Sequence, residues 1–212
     1  MMLQLNAQAC SQSSVMIQQQ IKGVIFDLDG TLVSSELDFQ LIKAQVGCPR
    51  DLDLLDFISQ LPSPYMRQEA MNIVHQHEML DAHNAQLMPG VAKCLEQLTL
   101  MQIPMAIVTR NFGRAAKLKL SQCNVPISLM LTRDDAPAKP NPSGLLHIAK
   151  QWHFTPNHCM YVGDYLYDIQ AAHNAKMRSC LYAPHEIPHY ASQAHHILHS
   201  FDDLPQLIKA FG

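Results

Sequence analysis

An apolar run ends abruptly in two carboxylates, where Val24-Ile25-Phe26 leads into Asp27-Leu28-Asp29-Gly30-Thr31. Residues two apart on an extended chain project from the same side, so Asp27 and Asp29 face one space. A carboxylate there can attack as a nucleophile, pass a proton to a leaving group, or ligate a hard divalent cation. Gly30 lets the backbone bend sharply straight after the pair. Read alone, the segment also fits a strand followed by an acidic turn.

Three further polar segments each lie beyond a predicted strand. Ile107-Val108 ends in Thr109-Arg110-Asn111, which offers a hydroxyl, a cation and an amide. Lys139 stands in Lys139-Pro140-Asn141-Pro142, and Tyr161-Val162-Gly163 ends in Asp164, with Asp168 beyond it. Each also has a plain structural explanation. Thr109 fits a strand-end hydroxyl, Lys139 a solvated loop lysine, and Asp168 a first-turn acid favoured by the helix dipole. Together they form a coherent set only if the fold brings them to one edge.

The elements that would do so are written in the apolar pattern. Short β-branched runs predict strands at Gly23–Asp27, Met105–Thr109, Ser128–Leu131, Cys159–Gly163 and Arg178–Tyr182. Helical stretches fall between them at Val91–Met101, Gly113–Gln122, Pro142–Trp152 and Leu166–Ala175, with a last one at Leu204–Phe211. This alternation predicts an α/β fold with a parallel sheet covered by helices on both faces. Parallel strands share one C-terminal edge, where α/β proteins bind ligands. Pro89-Gly90 and Asn141-Pro142 read as helix openings, and Asn124-Val125-Pro126 as a helix end.

The rhythm breaks after the first strand. Residues 34–87 contain no clear strand and three helical stretches, Leu37–Val46, Leu52–Leu61 and Tyr65–Ala85. That length exceeds a simple crossover and predicts a small all-helical module inserted after the first strand. Residues 21–33 and 88–212 then form the α/β core, and residues 1–20 a polar extension.

Composition narrows the class. The 212 residues are 48% hydrophobic and 16% charged with a formal net charge of −3, the profile of a folded domain. No basic stretch exists to neutralise a nucleic-acid backbone, and no apolar window is long enough to span a bilayer. The first twenty residues carry no Lys or Arg and no apolar run, unlike a secretory signal, so a cytoplasmic location is expected. The six cysteines, at 10, 48, 94, 123, 159 and 180, lie apart without CxxC pairs, and neither a disulfide framework nor a zinc site is expected. His75/His77 and His195/His196/His199 read as solvated surface.

Taken in order, the Asp27-Leu28-Asp29-Gly30-Thr31 run, Thr109, Lys139, and Gly163-Asp164 with Asp168 resemble the four motifs of the haloacid dehalogenase (HAD) superfamily. The resemblance runs from about Ile21 to Ala183. It implies a Rossmann-like core, and residues 34–87 lie where that family carries its type 1 cap. It also implies a phosphoric monoester hydrolase, or phosphatase, working through an aspartyl-phosphate. Asp27 would be the nucleophile and Asp29 the general acid/base. Thr109 and Lys139 would bind the phosphoryl group, with Arg110 and Asn111 beside them. Mg²⁺ would be held by the side chains of Asp27 and Asp164 and the backbone carbonyl of Asp29, with Asp168 orienting its neighbours.

Physical need agrees with these roles. A phosphate dianion repels a carboxylate nucleophile, so cations must bridge them, and an alkoxide needs a proton to leave. The chain departs from many relatives at Ser34-Ser35, with Glu36 only later, which bears on substrate rather than chemistry. Dehalogenation requires neither Asp29 nor a metal. A phosphonatase would use a cap lysine, and Lys43 is the candidate in residues 34–87. A phosphomutase would carry the same motifs, and so would a catalytically silent phosphate-binding or regulatory protein that kept the fold. The expected partner is a small phosphorylated metabolite, with phosphoglycolate a first guess. Arg50 and Arg67 read as exposed helix charges before they read as a second anion site. Monomer and weak homodimer are both compatible.

Overall fold

The computed structural model describes residues 20–211, so most of the polar extension, with Cys10, lies outside the described residues. The core is one parallel sheet of six strands in the order β3-β2-β1-β4-β5-β6. These are β1 (Gly23–Phe26), β2 (Met105–Val108), β3 (Met130–Leu131), β4 (Cys159–Gly163), β5 (Arg178–Tyr182) and β6 (His196–Leu198). Phe26 lies opposite Ile107 on one side and Val162 on the other, so β1, β2 and β4 end level with one another. The strand order reverses around β1. That is the crevice where open α/β sheets bind ligands.

All of β1 is buried, as a central parallel strand covered on both faces must be. Val24 and Phe26 pack on one face with helices α4 (Val91–Leu100) and α8 (Leu204–Lys209). Ile25, Ala106, Val108 and Tyr161 pack on the other with α6 (Ser143–Gln151) and α7 (Leu166–Asn174). Each large aliphatic or aromatic side chain buried this way contributes about 1.5–3 kcal/mol. Helix α5 (Gly113–Gln122) follows β2 and ends where Asn124 takes φ 50°, a conformation that asparagine tolerates better than most residues.

Between β1 and β2 lie three further helices, α1 (Phe39–Val46), α2 (Leu54–Ser59) and α3 (Pro64–Asn84). Each begins at a side-chain cap: Asp38 accepts from the Leu41 N–H, Asp53 from Leu55 and Asp56, and Ser63 from Met66. Ile42, Cys48, Leu54, Ile58, Ala70 and Val74 give this insertion a small core of its own.

Some details differ from the sequence pattern. β3 is shorter than the Ser128–Leu131 run, because as an edge strand it has only β2 to pair with. β6 replaces surface at the histidine cluster: His196 begins the strand, and the His195 ring meets Ser179 Oγ at 2.8 Å. His75 is likewise not simply solvated, since its ring stacks on Phe112 at 4.1 Å. Helix α6 starts after Pro142, where Asn141 Oδ1 accepts from the Ser143 N–H. Among the described residues the cysteines are free, and no helix is long and apolar enough to cross a membrane.

Candidate active site

The ends of β1, β2 and β4 and the loop before α6 bring the chemistry-bearing residues together. Lys139 is the hub. Its side chain is 4% exposed, and its ammonium donates to Asp27 Oδ1 and Asp168 Oδ1, each at 2.6 Å. Asp168 also accepts from Tyr161 Oη at 3.2 Å and from the Tyr165 N–H at 2.9 Å, which fixes it at the start of α7. Asp164 accepts from Thr31 Oγ1 at 3.2 Å. Gly30 lies at φ 73°, and a side-chain carbon there would collide with the Asp164 carboxylate. Glycine is needed at this position twice over, for its backbone and for the space.

Carboxylate oxygens of Asp27, Asp164 and Asp168 lie within 4.8 Å of one another. An all-oxygen, carboxylate-rich set suits a hard divalent cation. Three acids against one ammonium also leave negative charge that such an ion would offset. Burial pushes the Asp27 carboxyl well above the usual range, with Asp168 and Asp164 adding to it and Lys139 opposing. Burial and the neighbouring Asp168 push Asp164 up to about 7. Burial works against the Lys139 charge, but Asp168 and Asp27 outweigh it and hold the ammonium above the ordinary lysine value.

Asp29 sits in a different environment from Asp27. Its Oδ1 accepts from Lys119 Nζ at 2.6 Å and its Oδ2 from Asn111 Nδ2 at 2.5 Å. Burial raises its pKa, and Lys119 and Asn111 pull it partly back. Thr109 is buried, and its Oγ1 accepts from the Asn111 N–H at 3.1 Å, leaving the hydroxyl proton to donate elsewhere. Arg110 and Asn111, expected beside a phosphoryl group, each contact a protein carboxylate. Arg110 pairs with Asp53 of the insertion at 2.7 Å, donates to the Lys139 carbonyl at 2.5 Å, and lies over the Tyr167 ring at 4.7 Å. Arg67 bonds the Leu61 carbonyl, and Arg50 is exposed in the turn before α2.

Lys119, Asp53 and Asp81 are the site neighbours that motif reading missed. Lys119 lies in Lys117-Leu118-Lys119, which reads as solvated helix, but it stands three residues beyond Ala116 and four beyond Ala115, both buried on the core face. That spacing was the available signal.

The model of the haloacid dehalogenase-like hydrolase family matches residues 24–182. A haloacid dehalogenase-like hydrolase domain-containing protein of Arabidopsis thaliana is 34% identical over 76% of this chain and 70% of its own length. A phosphoglycolate phosphatase of Rhodobacter capsulatus is 26% identical over 89% of this chain and 97% of its own. In fold, the crystal structure of a hydrolase from Pseudomonas syringae superposes with a TM-score of 0.71 at 22% identity, covering 89% of this chain and 98% of that one. A family match over residues 24–182, the stretch that contains the strand ends assembling the site, makes this chain a member of the haloacid dehalogenase-like hydrolases.

Proposed function

We propose that the chain is a magnesium-dependent phosphatase that cleaves a small phosphomonoester through a phosphorylated Asp27. The observation that carries this reading is the separation of two carboxylates only two residues apart. Asp27 meets Lys139 beside Asp164 and Asp168, whereas Asp29 meets Lys119 and Asn111. Different environments push two acids into different roles. The similarity to a phosphoglycolate phosphatase over nearly the whole of both chains supports the reaction class.

In this reading an Asp27 oxygen attacks phosphorus while the bond to the leaving oxygen breaks. Asp29 protonates that oxygen, then takes a proton from the water that cleaves the Asp27–phosphorus bond. Lys139 neutralises the nucleophile and the phosphoryl charge together, and Thr109 Oγ1 donates to a phosphoryl oxygen. Side chains of Asp27 and Asp164 and the Asp29 carbonyl would hold Mg²⁺, with Asp168 orienting Lys139. When bound, the ion supplies positive charge between the carboxylates and the phosphate dianion. Residues 34–87 serve as a cap over this edge, tied down near the site by Asp53 and Asp81.

Hydrolysis of para-nitrophenyl phosphate with and without Mg²⁺, in wild type and Asp27→Asn, tests the reading. Turnover is expected to need both the metal and Asp27. Activity that survives Asp27→Asn would sink the covalent mechanism. Phosphoglycolate heads the panel of natural esters to follow.

A further inference from the structure

We infer that Lys119 is the positioning residue for Asp29, and that through Asp81 it couples the placement of that carboxylate to the helical insertion. This rests on Asp29 being the proton donor proposed above. Lys119 lies within α5 and is 0% exposed. Its ammonium donates to Asp29 Oδ1 at 2.6 Å and to Asp81 Oδ2 at 2.5 Å. Asp81, near the end of α3, is itself held: Ser35 Oγ donates to Oδ2 at 2.9 Å and the Glu36 N–H to Oδ1 at 2.7 Å.

Two features point to positioning rather than packing. Replacing a whole buried ion-pair group by apolar residues of similar size is seldom destabilising, so stability alone does not account for a charged Asp29–Lys119–Asp81 group here. Both oxygens of Asp29 are also engaged, Oδ1 by Lys119 and Oδ2 by Asn111, which fixes the carboxylate plane. Each oxygen keeps a second lone pair to carry the transferred proton.

The location supplies the coupling. Ser35 and Glu36 lie where the chain leaves the core for the insertion, and Asp81 lies near its return. One ammonium therefore joins both ends of the insertion to the acid. Any displacement of the insertion about those ends acts on Lys119, and through it on Asp29. A misplaced general acid loses rate on leaving groups that need a proton and little on those that do not.

The test compares kcat/KM of the full-length protein with Mg²⁺ on para-nitrophenyl phosphate and on simple alkyl phosphates, whose alkoxides need protonation. Asp29→Asn sets the reference and should lose far more on the alkyl esters. Lys119→Met should show the same bias, on the order of 10-fold more loss on alkyl esters than on the aryl ester. Asp81→Asn, which keeps Lys119 beside Asp29, should show it in smaller measure. Equal losses on both esters in Lys119→Met, with Asp29→Asn selective, would overturn the inference and leave the acid assignment standing. Equal losses in Asp29→Asn would remove the acid assignment and this inference with it. Should Lys119→Met fail to fold, Asp81→Asn decides alone: selective loss supports the coupling, and uniform loss overturns it.

Discussion

Three carboxylates around one ammonium leave the Lys139 centre short of positive charge, and the shortage has a pH signature. Asp164 ionises in the unfolded chain near its ordinary value of 3.8 but only at about 7 in the fold. Between those values the native state holds the extra proton, so the metal-free protein loses stability as pH rises through that window. If Asp164 holds a cation as proposed, the ion needs that carboxylate ionised and competes with the proton. The rise in Tm on adding Mg²⁺ is expected to be small at about pH 5.5 and large at about pH 8. A gain of equal size at both would remove Asp164 from the ligand set. At this scale the sequence was legible where a residue ends an apolar run. Asp27, Thr109 and Asp164 all do so, and a parallel sheet brings such ends to one edge. The burial of Lys119 was signalled only by its spacing from Ala115 and Ala116, and its pairing not at all, because its partners Asp29 and Asp81 come from distant segments.

Elements divide by the same logic. β1, β2 and β4 are buried apolar runs that announce themselves, and β5 ends in one, whereas β6 is three residues led by a histidine at the sheet edge. Helices α1 to α3 were legible as helical stretches, but the caps Asp38, Asp53 and Ser63 that set their starts were not read, and two stretches began before them. What sequence does not show is how α3 is fastened to the core. Arg133, in the loop after β3, meets Glu78 at 2.5 Å with both side chains 7% exposed. Burial raises the Glu78 pKa and Arg133 opposes the rise. Arg133→Met would leave that carboxylate buried without its cation, costing about 3–5 kcal/mol. Adding Glu78→Gln removes the stranded charge while keeping an acceptor for the Phe112 N–H, so it should restore a large share of the loss. Urea unfolding of the two variants reads both values. A double variant no more stable than Arg133→Met would show that the pair does not carry this contact.

Across the whole molecule the insertion meets the core with a consistent charge pattern. The insertion supplies Asp53, Glu78 and Asp81, and the core supplies Arg110, Arg133 and Lys119. The pairs are not equal. Two buried pairs anchor α3, whereas Asp53 at the start of α2 pairs with Arg110 at side-chain exposures of 17% and 25%. The end of the insertion nearest Lys139 is thus held by the weakest fastening. Opening there would release Arg110, which already touches the Lys139 carbonyl. Asp53→Asn isolates this fastening, since asparagine caps a helix as well as aspartate but carries no charge to pair with the Arg110 guanidinium. A partly exposed pair is worth up to about 1 kcal/mol, so amide exchange across α1 and α2 should quicken by up to about 5-fold. Exchange across α3 should change much less, because its two anchors remain. Equal quickening in all three helices would mean that the insertion opens as one body, and the Arg133 and Lys119 pairs would then yield together with Arg110.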